Sequence, residues 1–185
     1  MAMKILIVSD SHGNNRNLIQ VVKNMSGTMD MMIHLGDMEC SPDRIRELVD
    51  CPVELVKGNC DYGNELQGAK LIQIGGHKVF ITHGNHYGGE FGIPTMREIA
   101  KENGADIVMF GHSHKPVIEK SGDVTVINPG SISRPRQDGF RPTYMVMNIE
   151  DDGRTDFVLV TMCCRCKIQI KFYNLHLRCG SNIKT

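Results

Sequence analysis

The sequence lacks several features that mark particular classes of protein. It contains no tryptophan, and its 21 basic residues only balance its 21 acidic ones. A neutral chain has no overall positive field to attract nucleic acid, and it offers few aromatic rings on which bases could stack, so nucleic-acid binding is disfavoured. No apolar stretch approaches the length of a membrane-spanning helix, and the N-terminus shows no secretory signal. We therefore expect a cytoplasmic protein that does not associate with membranes.

Cysteine occurs seven times, an odd number without the spacing of a disulfide framework, which favours reduced thiols. Four of these cysteines lie in residues 162–185, a segment with five basic residues and no acidic ones. The cluster of Cys163, Cys164 and Cys166, together with Cys179 and His176, allows a metal site, and the segment could instead add an edge strand. We interpret residues 1–161 as one domain and residues 162–185 as a basic, cysteine-rich C-terminal extension.

Strand and helix signals alternate along the first third of the chain. Three short apolar runs predict buried strands, at residues 4–9, 31–34 and 53–56. The segments between them carry helical spacing, and Ser41-Pro42 is typical of a helix start. This order indicates a largely parallel sheet covered by helices. A hairpin across Gly75-Gly76, one helix and five more strands follow, so we predict a mostly antiparallel second half.

Carboxylate, imidazole and amide side chains follow the predicted strands at the points where the strands end. The seven residues of this set are Asp10, His12, Asp37, Asn59, His83, His112 and His114. Ligands bind beyond the carboxyl ends of strands in open α/β sheets, so we expect these side chains to converge on one site. Mixed nitrogen and oxygen donors without thiolate suit Mn²⁺, Fe²⁺, Ni²⁺ or Zn²⁺ better than Ca²⁺ or Mg²⁺.

The number and charge of these donors predict two metal ions. If one carboxylate bridges, the seven side chains give four protein ligands to each of two ions and leave positions for water and substrate. Two divalent ions and two aspartates leave a net charge of +2, which a hydroxide and a phosphodiester anion would neutralise. Paired metals generate such a hydroxide near neutral pH and stabilise an in-line displacement at phosphorus. The predicted nucleophile is therefore a metal-bridging hydroxide, and no catalytic side chain beyond the ligands is needed.

Five short motifs, in this order, resemble the calcineurin-like metallophosphoesterases, in particular their small bacterial and archaeal phosphodiesterase branch. The motifs are DSH at 10–12, GD at 36–37, GN at 58–59, THG at 82–84 and GHSH at 111–114, followed by INPGSISRPR at 127–136. The resemblance implies an α/β fold, a four-layer α/β/β/α sandwich of two mixed sheets flanked by helices. It also implies two ligand groups that share Asp37, namely Asp10, His12, Asp37 and His114 for one ion, and Asp37, Asn59, His83 and His112 for the other. Manganese is the ion we expect first.

One residue departs from the pattern of the superfamily. Many members carry histidine directly after the asparagine of the third motif, where it assists the departing oxygen, and this chain has Cys60 there. A thiol with an ordinary pKa of about 8.5 is a poor substitute for imidazole as a proton donor. We therefore predict that the protein hydrolyses activated phosphodiesters, such as bis-p-nitrophenyl phosphate, faster than phosphomonoesters.

Four further residues are predicted to contact a small phosphodiester substrate: Asn14, His86, Arg134 and Arg136. Guanidinium groups match phosphate oxygens, although ordinary solvated loop residues would explain the same positions without a function. Two other function classes stay open. A eukaryotic retromer subunit of similar fold serves in protein assembly, but it has lost part of the ligand set; the other class is a nuclease. A homodimer is compatible with the sequence but is not required by it.

Overall fold

The computed structural model describes residues 2–63, 65–87 and 92–162, and the backbone of residues 169–170 and 177–178. The elements are β1 (Met3–Val8), α1 (Arg16–Met25), β2 (Met31–His34), α2 (Pro42–Arg46), β3 (Val53–Leu55), β4 (Ala69–Ile74), β5 (His77–Thr82), a 3-10 turn (Asn85–Tyr87), α3 (Ile93–Glu102), β6 (Ile107–Met109), β7 (Pro116–Ser121), β8 (Val124–Pro129), β9 (Thr143–Ile149), β10 (Arg154–Thr161), β11 (Gln169–Ile170) and β12 (Leu177–Arg178).

The strands form two mixed sheets, which confirms the predicted α/β fold. In the first sheet, β1, β2 and β3 are parallel. On the far side of β1, β9 pairs antiparallel with β1 and β10 pairs antiparallel with β9, and β11 and β12 pair with β10. In the second sheet, of order β4-β5-β6-β8-β7, the three central strands are parallel and the two outer strands antiparallel. The prediction of a mostly antiparallel second half is wrong for the three middle strands of the second sheet. The helix α3 crosses over between β5 and β6 and so permits a parallel pair.

Alternate residues of the central strands face two different layers. In β1, Ile5 and Ile7 lie in the core between the two sheets, whereas Leu6 and Val8 pack against the helices α1 and α2. In β5, the side chain of Phe80 packs against α3 on the opposite side of the molecule. This alternation follows from the two-residue period of a strand, and it produces the four layers of helices, sheet, sheet and helix.

The second helix is shorter than the helical spacing of Ile45, Leu48 and Val49 predicts. Ser41 caps its start, since the Ser41 hydroxyl accepts the Asp43 backbone N–H at 3.3 Å, and Ile45 is fully buried. The helix ends at Arg46, and Leu48 and Val49 are only partly buried beside the core. The chain has to turn in this stretch to reach Pro52 and enter β3, which removes residues 47–51 from the helix.

His77 joins the two sheets through its side chain. It is the first residue of β5 and is 3% exposed. Its Nδ1–H donates to the carboxylate of Asp106 at 2.6 Å, and its Nε2 lies 3.0 Å from the hydroxyl of Thr155 on β10. Because a buried imidazole needs partners for both nitrogens, this pair of contacts fixes one sheet against the other.

His34, the last residue of β2, is fully buried, with its Nε2 3.2 Å from the Ser11 hydroxyl. Burial disfavours the imidazolium and lowers the pKa of His34 from 6.5 to about 4. The unfolded chain therefore binds a proton on His34 at a higher pH than the folded chain does. Above the pKa of the unfolded chain, His34 is neutral in both states and does not affect the free energy of unfolding. As the pH falls from 6.5 towards 4, protonation of His34 in the unfolded chain lowers that free energy.

We expect His34→Gln to remove this part of the acid sensitivity. Between about pH 8 and about pH 5, the wild-type protein should lose about 2 kcal/mol more unfolding free energy than the variant does. Urea unfolding of both proteins at both pH values, in EDTA so that metal binding does not contribute, measures the difference. Equal losses in the two proteins would show that His34 does not stay neutral in the fold.

The predicted extension, residues 162–185, lies outside the described residues, apart from Met162 and the backbone of β11 and β12. The cysteine cluster and His176 belong to the part that is not described, so the domain division stays a prediction. Among the described residues, no helix combines the length and the apolar character needed to cross a bilayer.

Candidate metal centre

The candidate centre lies where strands of both sheets end. Asp10 and His12 follow β1, and Asp37 follows β2, its parallel neighbour. Backbone hydrogen bonds join these two loops, since the Asp10 N–H donates to the carbonyl of Gly36 at 3.1 Å and the His12 N–H to that of Asp37 at 2.9 Å. The carboxyl ends of parallel strands meet at one edge, which is why residues far apart in sequence converge there.

The backbone of the centre is held in an uncommon conformation. Among the described non-glycine residues, seven have a positive φ angle, and five of these are predicted ligands: Asp10, His12, Asp37, His112 and His114. The sixth is Glu39, with φ of 51°, whose carboxylate contacts His12. The seventh, Phe140, is not one of the predicted ligands. Left-handed backbone at non-glycine residues costs free energy and clusters at functional sites, because the surrounding structure must enforce it.

The first predicted ligand group is assembled in the structure. Asp10, His12, Asp37 and His114 are all buried, and each places one donor atom within 4.8 Å of the others. The Nε2 atom of His114 lies 3.1 Å from Asp10 Oδ1 and 3.2 Å from the Nε2 atom of His12. These separations suit donors arranged around one cation.

The second predicted group adjoins the first through Asp37. The Nε2 atom of His83 lies 3.4 Å from Asp37 Oδ2 and 3.1 Å from Asn59 Oδ1. The ring of His112 stands edge-on to that of His83, with 5.1 Å between centroids. All seven predicted donors therefore lie together, with Asp37 common to both groups. Their role as ligands stays a prediction.

Three imidazoles are oriented by hydrogen bonds on the side away from the centre. The Nδ1–H of His83 donates to the Leu35 carbonyl at 2.7 Å, and that of His114 donates to the Arg134 carbonyl at 2.5 Å. The Nδ1–H of His12 donates to Glu39 Oε1 at 2.6 Å. Because these acceptors cannot donate, each Nε2 lone pair is directed into the centre, as in metal-binding histidines.

The electrostatics of the centre favour a bound cation. Among the described residues, neither carboxylate oxygen of the fully buried Asp10 has a hydrogen-bond partner. Burial alone would raise the pKa of Asp10, but the adjacent His114 and His83 outweigh burial and lower it. The pKa of Asp37 lies well below its usual range despite burial, because His83 and the Cys60 N–H stabilise the carboxylate.

A proton on His83 balances part of the negative charge of Asp37 and Asp10. Burial opposes its protonation, yet Asp37 and Asp10 raise its pKa above the ordinary value. The Nε2 atoms of His12 and His114 face each other at 3.2 Å. A divalent ion satisfies the same electrostatic demand as a proton on His83, so the residues fit the metal that their chemistry implies.

The four predicted substrate residues are all exposed and lie on loops: Asn14, His86, Arg134 and Arg136. Arg134 is tied to the centre through its carbonyl, and its Nη1 is 4.0 Å from Glu39 Oε1. The Arg136 N–H donates to the carbonyl of His114 at 3.2 Å. His86 belongs to the 3-10 turn that follows His83. Substrate contact by these four residues stays a prediction.

Several supporting residues were missed in the sequence. Glu39 bonds to His12, and the buried Asp61 accepts the N–H groups of Met38, Glu39 and Gly58 at 2.7 to 2.9 Å, joining two loops of the centre. Ser131 and Ser133 donate to the Asp10 carbonyl from the INPGSISRPR loop. Their spacing in the sequence could have identified Glu39 and Asp61. Each lies two residues after a predicted ligand, just as His12 lies two residues after Asp10.

Gly58 gives a steric test of the centre. A Cβ atom at this position would overlap both Asp37 Oδ1 and the Asp37 backbone nitrogen. We expect Gly58→Ala to displace Asp37, weaken metal binding on the order of tenfold to a hundredfold, and cost about 1–3 kcal/mol of unfolding free energy. Metal titration and urea unfolding measure the two effects.

Gly68→Ala is the matched control, because a Cβ there has its nearest neighbour, His86 Cδ2, at an ordinary 3.9 Å. This variant should bind metal like the wild type and change the unfolding free energy by less than about 1 kcal/mol. Equal metal affinity in both alanine variants would mean that the position of Asp37 does not control binding.

Comparison with known proteins gives consistent matches. The profile of the calcineurin-like phosphoesterase superfamily domain matches residues 3–152. The chain is 37% identical over 155 residues to the probable metallophosphoesterase YsnB of Bacillus subtilis, which covers 83% of this chain and 88% of that protein. It is 30% identical over 149 residues to the phosphodiesterase MJ0936 of Methanocaldococcus jannaschii, covering 69% and 83% of the two chains.

A solved structure of lower sequence identity shares the fold. Wild-type Vps29 of Entamoeba histolytica, crystallised with zinc, superposes with a TM-score of 0.78 over 93% of this chain and 99% of that chain. The two sequences are 20% identical, so this likeness establishes the fold alone.

Proposed function

The chain belongs to the calcineurin-like phosphoesterase superfamily, and on this basis we propose that it hydrolyses phosphodiesters with the help of two divalent metal ions. The observation that carries the proposal is the pair of donor groups that share Asp37. Asp10, His12 and His114 complete one group. His83 and Asn59, with His112 beside them, complete the other.

The bound ions would supply a bridging hydroxide as nucleophile and neutralise both oxygens of an in-line displacement at phosphorus. We propose Mn²⁺, with Fe²⁺, Ni²⁺ or Zn²⁺ as alternatives, because the donors are nitrogen and oxygen. The protein contributes preorganisation: the hydrogen bonds on Nδ1 fix the three imidazoles before any ion or substrate arrives. Arg134, whose carbonyl holds His114, is placed to meet a substrate phosphate with its exposed guanidinium.

Cys60 limits the range of substrates in this proposal. Burial and the adjacent Asp37 carboxylate raise the pKa of the Cys60 thiol to about 11. The thiol is therefore a much weaker acid than an imidazolium, and it gives little help to an oxygen that departs as a poor leaving group. Diesters of acidic alcohols need no such help, which is why we propose activated phosphodiesters as the better substrates.

Metal analysis combined with a substrate pair tests the proposal. Protein purified without chelators and then supplied with Mn²⁺ should bind close to two ions per chain. It should also hydrolyse bis-p-nitrophenyl phosphate faster than p-nitrophenyl phosphate. Faster turnover of the monoester would contradict the substrate assignment. A chain that binds no ion and hydrolyses neither ester would support the scaffold role instead.

A further inference from the structure

A second cluster of metal-binding side chains lies on the outer side of His12. His12, Glu39 and Cys60 each offer one donor atom, and these three atoms lie within 4.8 Å of one another. Glu39 Oε1 is 2.6 Å from His12 Nδ1. Cys60 is half-buried and is not in a disulfide. The three side chains therefore bring together an imidazole, a carboxylate and a thiol.

The cluster opens onto a cavity from which an ion and water could enter. Glu39 and Cys60 line this cavity of about 540 Å³, together with Cys40, Ser41, Asp61 and Tyr62. Three protein donors at an open cavity leave a coordination position for water, the arrangement found at zinc sites that are not fully closed. The cavity thus gives the ion access to the three donors and has room for the water molecule that would be its fourth ligand.

The donor set selects a different kind of ion from the main centre. Thiolate is a soft ligand that favours zinc-like ions, whereas Mn²⁺ and Mg²⁺ prefer oxygen and nitrogen. A thiolate and a carboxylate together carry two negative charges, which match one divalent ion. When such an ion binds, the Cys60 thiol and the Nδ1–H group of His12 would each release a proton to water, since the ion takes the place of both protons.

We propose that His12, Glu39 and Cys60 form a binding site for a thiophilic divalent cation, and that an ion in this site inhibits the enzyme. The inhibitory part rests on the proposed function. His12 belongs to the first donor group of the main centre and also to this cluster. An ion bound to Glu39 and to His12 Nδ1 would replace the hydrogen bond that orients the His12 ring, and a second positive charge would then lie beside the main centre.

Cadmium is a suitable probe because a cadmium–thiolate bond absorbs in the ultraviolet independently of activity. The full chain, loaded with Mn²⁺, is titrated with Cd²⁺ while the charge-transfer absorbance and the hydrolysis of bis-p-nitrophenyl phosphate are followed. The absorbance and the loss of activity should saturate together. Because the sequence holds six further cysteines, at 40, 51, 163, 164, 166 and 179, the signal of the site is the difference between wild type and Cys60→Ser.

Cys40→Ser is the matched control, since Cys40 lines the same cavity but is not one of the three donors. We expect Cys60→Ser to lose the absorbance of one cadmium–thiolate bond per chain. The Cd²⁺ concentration that halves its activity should be higher than for the wild type by on the order of tenfold to a hundredfold. Cys40→Ser should behave like the wild type in both measurements.

Three outcomes would overturn the proposal in whole or in part. Identical absorbance of wild type and Cys60→Ser would show that Cys60 does not bind the ion. A lost band with unchanged inhibition would overturn the inhibitory role and leave the binding site. Equal effects of both serine substitutions would place the ion elsewhere in the cavity. A wild-type protein without diesterase activity would contradict the proposed function alone, because the absorbance still tests the site.

Discussion

Asp37→Asn is expected to reduce bound metal from two ions per chain to well below one, and to lower kcat/KM for bis-p-nitrophenyl phosphate by at least about a thousandfold. Asp37 Oδ1 accepts the backbone N–H of Cys60 at 2.8 Å, so an asparagine has to place its carbonyl oxygen there. The amide NH₂ then takes the Oδ2 position, 3.4 Å from His83 Nε2 and 3.7 Å from His12 Nε2.

That exchange removes a donor from both ligand groups at once. The NH₂ group of asparagine offers hydrogens and no available lone pair to a cation. One negative charge between the two groups is lost as well, although the side chain keeps its shape. No other single substitution of a predicted ligand should affect both ions in this way, because only Asp37 belongs to both groups.

Asp106→Asn provides the control for Asp37→Asn. The Asp106 carboxylate likewise lies beside a histidine, but it accepts the Nδ1–H of His77 at 2.6 Å, and His77 lies between the sheets and outside the centre. This variant should keep two ions per chain, as measured by metal analysis after dialysis. Urea unfolding in EDTA checks that both variants fold. An Asp37→Asn protein that retains two ions and its activity would show that Asp37 is not the bridge.

His83→Ala is expected to lose one of the two ions and to lower kcat/KM by on the order of a hundredfold to a thousandfold. His83 is fully buried, and its Nε2 approaches both Asp37 and Asn59. No described side chain takes its place as an imidazole donor between these two residues. The first group does not include His83, so we expect its ion to remain.

His86→Ala is the matched control for His83→Ala, because His86 is an exposed histidine only three residues further along the same segment. It should bind two ions per chain whatever its part in substrate contact. Added imidazole should restore some of the second ion to His83→Ala by filling the space left by the ring. Two ions bound with wild-type affinity in His83→Ala would mean that the second group is wrongly assigned.

The centre combines unfavourable backbone conformations with a buried carboxylate that accepts no hydrogen bond from the described residues. Five predicted ligands have positive φ angles, and Asp10 buries a carboxylate without hydrogen-bond partners among the described residues. Each such residue costs on the order of 1–3 kcal/mol, which the fold tolerates because neighbouring loops enforce the geometry. Asp61 and Ser131 are two residues that do this, through hydrogen bonds to backbone groups of the ligand loops.

The sequence by itself determined the position of the centre and the residue types in it. Short apolar runs identified β1, β2 and β3, and the polar residues after these strands could be chosen as donors without coordinates. Parallel pairing then requires the ends of neighbouring strands to lie at the same edge, so Asp10 and Asp37 had to come close together. Local pattern was sufficient here because strand periodicity and strand ends are local properties.

Only the tertiary structure decided how the donors are oriented and what supports them. The acceptors that fix His83 and His114 are the carbonyls of Leu35 and Arg134, 48 and 20 residues away in the chain. Every residue has a carbonyl group, so no side-chain pattern could single these out. The link from His77 to Thr155 joins two side chains, and the sequence could not reveal it because such contacts depend on which surfaces meet when the layers pack.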